Sequence, residues 1–234
     1  MNPFDYSIIH FLNQFAEKSQ VFDYLNAAGS NNPLLTSAPI VAIFWWAWFR
    51  DSEKNAEDRQ IIISSLFLCA TALFVARTLA LTLPYRERPL RTIPQFRIPF
   101  SETPTVLIRW SSFPSDHAVF LFCLATSVFF LSRKLGIAVL CYVSLICCSL
   151  VYLGIHYPTD LLAGAALGTG IACLTLIKPF RDSLSAKTIL WSERSPSSFY
   201  PSFYLVAFLF GTMFDSLRSI AGLTWRASRS LLHH

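Results

Sequence analysis

Apolar residues run through this chain in long blocks rather than in the short alternations of a soluble protein. Stretches approaching the ~20 uncharged residues that cross a hydrocarbon core fall at roughly 34–49, 60–83, 117–132, 135–154, 160–177 and 201–217. The pattern predicts an all-α, polytopic membrane bundle of about six transmembrane helices. The first and last are its weakest members, because 34–49 is short and holds Pro39 and 201–217 carries Asp215 near its end. Without one of them the count is five.

Ahead of these blocks, Phe4, Ile8, Phe11, Leu12 and Phe15 recur at helical spacing, with Asn13, Gln14, Glu17 and Lys18 off the stripe. This predicts an amphipathic helix at the membrane interface within residues 1–33. Asp5 interrupts the start and no basic region precedes a continuous apolar core, which is unlike a secretory signal peptide. The first span is then expected to do the targeting. Asn31-Asn32-Pro33 breaks the chain before it, and no repeat or low-complexity tract divides the remainder of the chain. Residues 34–217 read as one membrane domain, and 218–234, with Arg226 and Arg229, as a basic tail.

Composition sharpens this picture. A hydrophobic content of 53% and a mean hydropathy of +0.46 exclude an ordinary soluble domain. The net charge of +5 raises the question of nucleic acid, but the basic residues sit in short loops rather than on one polar face, so no nucleic-acid partner is expected. Under six-span topology Arg50, Lys54, Arg59, Arg133, Lys134, Lys178, Arg181, Lys187 and Arg194 share one side, which the positive-inside rule makes cytoplasmic. Loops 84–116 and 155–159 then face outward. The outward loop holds Arg86, Arg88, Arg91, Arg97 and Arg109, which oppose that orientation unless they bind a ligand. Cys69, Cys123, Cys141, Cys147, Cys148 and Cys173 all fall inside apolar spans and are expected to be buried packing residues, neither disulfides nor a zinc site.

Three polar segments open onto spans on that outward side. Arg86-Glu87-Arg88-Pro89 offers two guanidiniums where a helix stops, which suits either an anion fork or interface anchoring. Phe113-Pro114-Ser115-Asp116-His117 leads into a helix N-terminus, where free N–H groups and the dipole attract an oxyanion, although Ser and Asp there also serve as simple caps. In Ser149…Gly154-Ile155-His156-Tyr157-Pro158-Thr159-Asp160, Asp160 lies four residues after His156, close enough to hold one imidazole nitrogen and leave the other as nucleophile or base. A structural His–Asp pair at a helix start is the alternative.

Taken in order, Arg88-Pro89, Pro114-Ser115-x-His117 and Ser149 with His156-x-x-x-Asp160 resemble the three signature segments of the type-2 phosphatidic acid phosphatase superfamily, which also contains the vanadium haloperoxidases and microsomal glucose-6-phosphatases. The resemblance covers roughly residues 60–177. It implies a helical core with the site at the extracytoplasmic face of a plasma (bacterial inner) membrane. It also implies hydrolysis of a phosphate ester without metal or other cofactor. By that resemblance His156 attacks phosphorus, Asp160 orients its ring and His117 protonates the departing oxygen. Ser115, the backbone N–H at Asp116 and Arg88 would hold the equatorial oxygens. The implied substrate is an amphiphile, a lipid phosphate or polyprenyl pyrophosphate.

The chain departs from the family pattern at three positions. Leu81 stands where a Lys or Arg is usual, Leu150 where an Arg follows the serine, and Asp116 where a small Gly precedes the histidine. Losing one oxyanion donor typically costs about 10²–10³ in rate, so two missing cations require compensation. Arg77, one turn before Leu81, and Arg86 are the expected substitutes at the phosphate. The alternatives are a non-catalytic scaffold that binds a lipid phosphate, or a structural membrane protein.

Overall fold

The computed structural model describes residues 1–51, 53–100 and 110–213, and every regular element among them is helical. The chain opens with α1 (Pro3–Asn13), α2 (Gln20–Asn31) and the short α3 (Pro33–Thr36), each started by a polar cap: Asn2, Ser19 and Asn32. There follow α4 (Ala38–Phe49), the long α5 (Asn55–Thr82) and a single turn, α6 (Pro89–Thr92). The centre of the molecule is built from α7 (Asp116–Leu131), α8 (Arg133–Tyr152) and α9 (Pro158–Ala172), the last extended by a 3-10 turn to Leu176. Helices α10 (Lys178–Arg194) and α11 (Pro196–Gly211) complete it.

By length and composition α5, α8 and α9 with its extension can cross a membrane, whereas α4 and α7 are apolar but shorter. Each predicted apolar block overlaps helix, with 34–49 divided between α3 and α4; α11 ends at Gly211 and begins five residues before the expected 201, because Pro196 starts it and Pro201 is tolerated inside its first turns. Asp215, Arg226, Arg229 and Arg109 lie outside the described residues. Helix α10 falls where no element was expected, since its polar composition carries no apolar block. It is fixed to α5 through Arg181 and Glu57, 3.3 Å apart. Arg50 pairs with Asp58 at 2.6 Å, so two of the loop cations meet the acidic first turn of α5.

Helix α1 carries only part of the expected apolar stripe. It ends at Asn13, before Phe15, and its buried residues are Asp5 and Ile9, while Phe4 and Phe11 are exposed. The cysteines divide: Cys69, Cys123 and Cys147 are buried, whereas Cys141, Cys148 and Cys173 lie on the outer surface of the bundle. That surface is apolar where helices can face lipid, so residence in an apolar block does not imply burial in protein.

Helix α7 packs against α5, α8 and α9 and is buried along nearly its whole length. The α7–α9 contact is close because Gly168 faces it. A Cβ there would stand 2.2 Å from the carbonyl oxygen of Val119, and one at Gly164 2.7 Å from that of Ser115. Small residues spaced by four let two helix backbones approach where lipid supplies no hydrophobic drive. This contact brings the N-terminus of α7 beside that of α9, where the three polar segments converge.

Candidate functional site

Backbone pairing assembles the site before any side chain acts. The N–H of Ser112 donates to the carbonyl of Arg86 at 2.8 Å, and the N–H of Ser115 to that of Asp160 at 3.3 Å. The N–H of Leu90 donates to the carbonyl of Gly154 at 3.0 Å. Gly154 has φ +70°, and a Cβ on it would meet the Phe96 ring at 2.6 Å and the Leu90 Cβ at 2.8 Å, so the turn between α8 and α9 needs glycine to seat α6 against it.

His156 lies in that turn and is 2% exposed. Its Nδ1 is 2.9 Å from the carbonyl oxygen of Ser112, which can only accept, so the ring carries its proton on Nδ1 and Nε2 has a free lone pair. The Asp160 carboxylate is 3.7 Å from Nδ1. It therefore does not hold the nitrogen directly, as the sequence spacing suggested, because the Ser112 carbonyl occupies that direction. Asp160 instead accepts from Ser112 Oγ at 2.5 Å, from the Tyr157 N–H at 3.0 Å and from Arg86 Nη1. Burial pushes the His156 imidazole below the ordinary histidine value, and Asp160 and Asp116 oppose that shift while Arg88 adds to it.

On the facing helix, Ser115 is the N-cap of α7, its Oγ accepting the Ala118 N–H at 3.3 Å. Asp116 Oδ1 accepts the His117 N–H at 3.0 Å and lies 3.2 Å from His117 Nδ1. Arg77 Nη2 is 3.9 Å from Asp116 Oδ2. Arg88 is buried, its Nη1 donating to the Ile155 carbonyl at 2.7 Å, while its buried Nε has no hydrogen-bond partner among the described residues. Burial lowers the Arg88 pKa, with Asp116 and Asp160 opposing. His156, His117, Asp116, Ser115, Arg88 and Arg77 thus line one centre.

The departures take definite places. Leu81 is 74% exposed, and Leu150 is 1% exposed and directed into the core. Arg86 is not aimed at an open anion position: its guanidinium sits between Asp160 and Asp5, 2.8 Å from the latter, and 3.9 Å above the Tyr157 ring. Sequence reasoning missed Ser112 and Asp5. Ser112 acts through a backbone carbonyl that no residue type announces, and Asp5 lies 155 positions before Asp160.

Asp116, His117 and His156 each present a ligand atom within 4.8 Å of the others, so these three could ligate a cation. Arg77 and Arg88 beside them oppose a divalent ion and favour an anion. A helical bundle with two histidines and two guanidiniums around the N-terminus of a helix suits an anion such as a phosphoryl group.

Comparison with known proteins agrees with that class. Residues 85–183 match the model of the PAP2 superfamily, which bears out the resemblance over that part of the chain. The chain is 29% identical over 143 residues to the Escherichia coli (strain K12) protein named "Putative undecaprenyl-diphosphatase YbjG", a match covering 61% of this chain and 66% of that protein. It is 38% identical over 58 residues to the bacitracin transport permease protein BcrC of Bacillus licheniformis, covering 25% of this chain and 29% of BcrC. The chain thus spans just under two thirds of the first relative and less than a third of the second. The crystal structure of Aquifex aeolicus LpxE shares the fold, with a TM-score of 0.51 at 20% identity over 76% of this chain and 99% of LpxE.

Proposed function

We propose that this chain is an integral membrane phosphatase, a six-span bundle that hydrolyses a lipid phosphate or polyprenyl (pyro)phosphate through His156 at its extracytoplasmic face. The observation that carries the reading is the buried imidazole whose Nδ1–H is held by the Ser112 carbonyl, which aims an unprotonated Nε2 as a nucleophile. The burial that lowers its pKa keeps that lone pair free at neutral pH.

In the proposed reaction Nε2 of His156 attacks phosphorus as the bond to the departing oxygen breaks. Protonated His117, with Nδ1–H facing Asp116, gives its other proton to that oxygen. Arg88, the Ser115 hydroxyl and the backbone N–H of Asp116 stabilise the equatorial oxygens. Water then attacks the phosphohistidine, the P–N bond breaks, and His117 takes the water's proton. Asp160 supports the positive charge that the ring carries while bonded to phosphorus.

An amphiphilic substrate is supported by an apolar groove of about 250 Å³ lined by Phe4, Ile8, Leu12, Val151, Pro158 and Leu161, which starts two residues from His156. The name of YbjG supports a polyprenyl diphosphate within that class. The test is phosphate release by purified protein from a panel of lipid phosphates and pyrophosphates, with His156→Ala as control. The outward Leu81, the core Leu150 and the pairing of Arg86 favour a second reading, a lipid-phosphate binder without turnover. Saturable binding with no release from any member of the panel would establish it.

A further inference from the structure

The proposed reaction leaves one buried carboxylate unused. Asp5, on α1, has no exposed surface, yet it stands on a helix whose other polar residues mostly face outward. Its Oδ1 accepts the Thr159 N–H at 2.9 Å, and its Oδ2 accepts Thr159 Oγ1 at 2.7 Å and Arg86 Nη2 at 2.8 Å. Thr159 is the second residue of α9, so its N–H is one of the four that a helix cannot satisfy itself. Asp5 caps α9 from another helix, at the positive end of its dipole.

Arg86 extends this contact to the reacting ring. One side of its guanidinium meets Asp5 and the other meets Asp160. Asp160 receives Ser112 Oγ, and the Ser112 carbonyl receives His156 Nδ1–H. Without Asp5, the charges of Arg86 and Asp160 would cancel beside the imidazole. With Asp5, the group of three carries a net negative charge. That charge favours the positive ring formed when Nε2 bonds to phosphorus.

We infer that Asp5 is a positioning residue for His156: through Arg86 it restores a net negative charge at Asp160 and fixes the carboxylate that supports the imidazole. The inference rests on His156 being the nucleophile. It assigns the N-terminal helix a part in the chemistry as well as in packing.

The test uses the full chain with Asp5→Asn, which keeps an oxygen for the Thr159 N–H and removes the charge together with the oxygen that accepts from Thr159 Oγ1 and Arg86. Partners that orient a reactive group from behind typically matter about 10- to 100-fold, and a fall in kcat of that size is expected with KM within about twofold, since Asp5 does not touch phosphate. Adding Arg86→Gln to Asp5→Asn should recover part of the lost kcat, because Asp160 alone again leaves a negative charge; a merely structural role makes the double variant worse. Unchanged kcat in Asp5→Asn, or a double variant slower than the single, overturns the inference. If His156→Ala shows that the nucleophile is misassigned, or no substrate is turned over, ¹⁵N-histidine NMR reads the same coupling directly. Asp160, Asp116 and Arg88 are the other charged groups facing His156. Its titration should move to lower pH in Asp5→Asn, and an unmoved titration overturns the inference independently of activity.

Discussion

Substituting Gly168 by Ala tests whether the α7–α9 contact sets the site. The added Cβ would stand 2.2 Å from the Val119 carbonyl oxygen and 3.1 Å from the Cys123 nitrogen, both backbone atoms that cannot rotate away. Reaching ordinary contact near 3.5 Å therefore requires the helices to separate by about 1 Å. Overpacking of this kind costs about 1–3 kcal/mol, against a helix-propensity gain of about 0.5–1 kcal/mol for replacing a mid-helix Gly by Ala. Gly170, two residues on, has nothing within 4 Å of its Cβ position, so Gly170→Ala should show the gain without the clash. Asp160 is two turns along α9 from Gly168, roughly 12 Å at 1.5 Å per residue, and α7 carries Ser115 and His117 on the other side of the contact. A misplacement of about 1 Å costs about 10²-fold in rate. Melting temperature and kcat/KM of purified protein in detergent provide the two readings. Gly168→Ala is expected to lower both, and Gly170→Ala to hold or raise the melting temperature with activity intact. Equal behaviour of the two variants, or a lowered melting temperature in Gly168→Ala with unchanged kcat/KM, would refute the claim that this contact determines the geometry of the chemistry.

His156→Ala should abolish phosphate release with the fold retained, and Asp160→Asn should lower turnover strongly but less completely; an acid-labile phosphoenzyme that persists in His156→Ala rules out the nucleophile. Leu150→Arg should destabilise the protein by several kcal/mol by placing an unpaired charge in the core, and a tenfold rise in rate, about 1.4 kcal/mol of transition-state stabilisation, would contradict the direction assigned to that side chain. The depressed pKa of His156 fixes the sign of two pH effects. As pH falls through the ordinary histidine value near 6.5, the unfolded chain takes up a proton that the native ring resists, so stability drops from there down to the lower native value. The acid limb of kcat/KM attributable to His156 should likewise lie below about 6.5, and a His156 titration above that value, read by ¹⁵N-histidine NMR, would refute the burial argument.

The helices were legible because lipid-length apolar blocks and their polar starts are local signals. The block at 60–83 became α5 at Asn55–Thr82, and that at 135–154 became α8 at Arg133–Tyr152. Ser115 and Pro158 open α7 and α9, as their residue types indicate. The polar centre was legible for the same reason, since Ser115, His117, His156 and Asp160 lie within a few residues of those starts. Asp5 was not, because helical periodicity describes an isolated helix and Asp5 is buried by partners 81 and 154 positions away. Leu81 illustrates the same limit. It shares a helix with Arg77, yet Arg77 faces Asp116 while Leu81 is exposed.

The fate of Arg86 changes what the two missing cations mean. Counted along the sequence, Arg77 and Arg86 replace the cations absent at Leu81 and Leu150 one for one. In space, Arg86 is committed between two buried carboxylates, where removing one partner would leave a costly uncompensated charge. Arg77 stands 3.9 Å from Asp116, itself the residue that departs from the family's glycine. The added carboxylate and the intramembrane arginine therefore offset each other. Under the proposed function this leaves, for a phosphate, Arg88, whose buried Nε lacks a hydrogen-bond partner among the described residues, together with the N-terminus of α7. A site with few mobile cations relies more on fixed dipoles and on the placement of α7 against α9, the quantity that glycine controls at position 168.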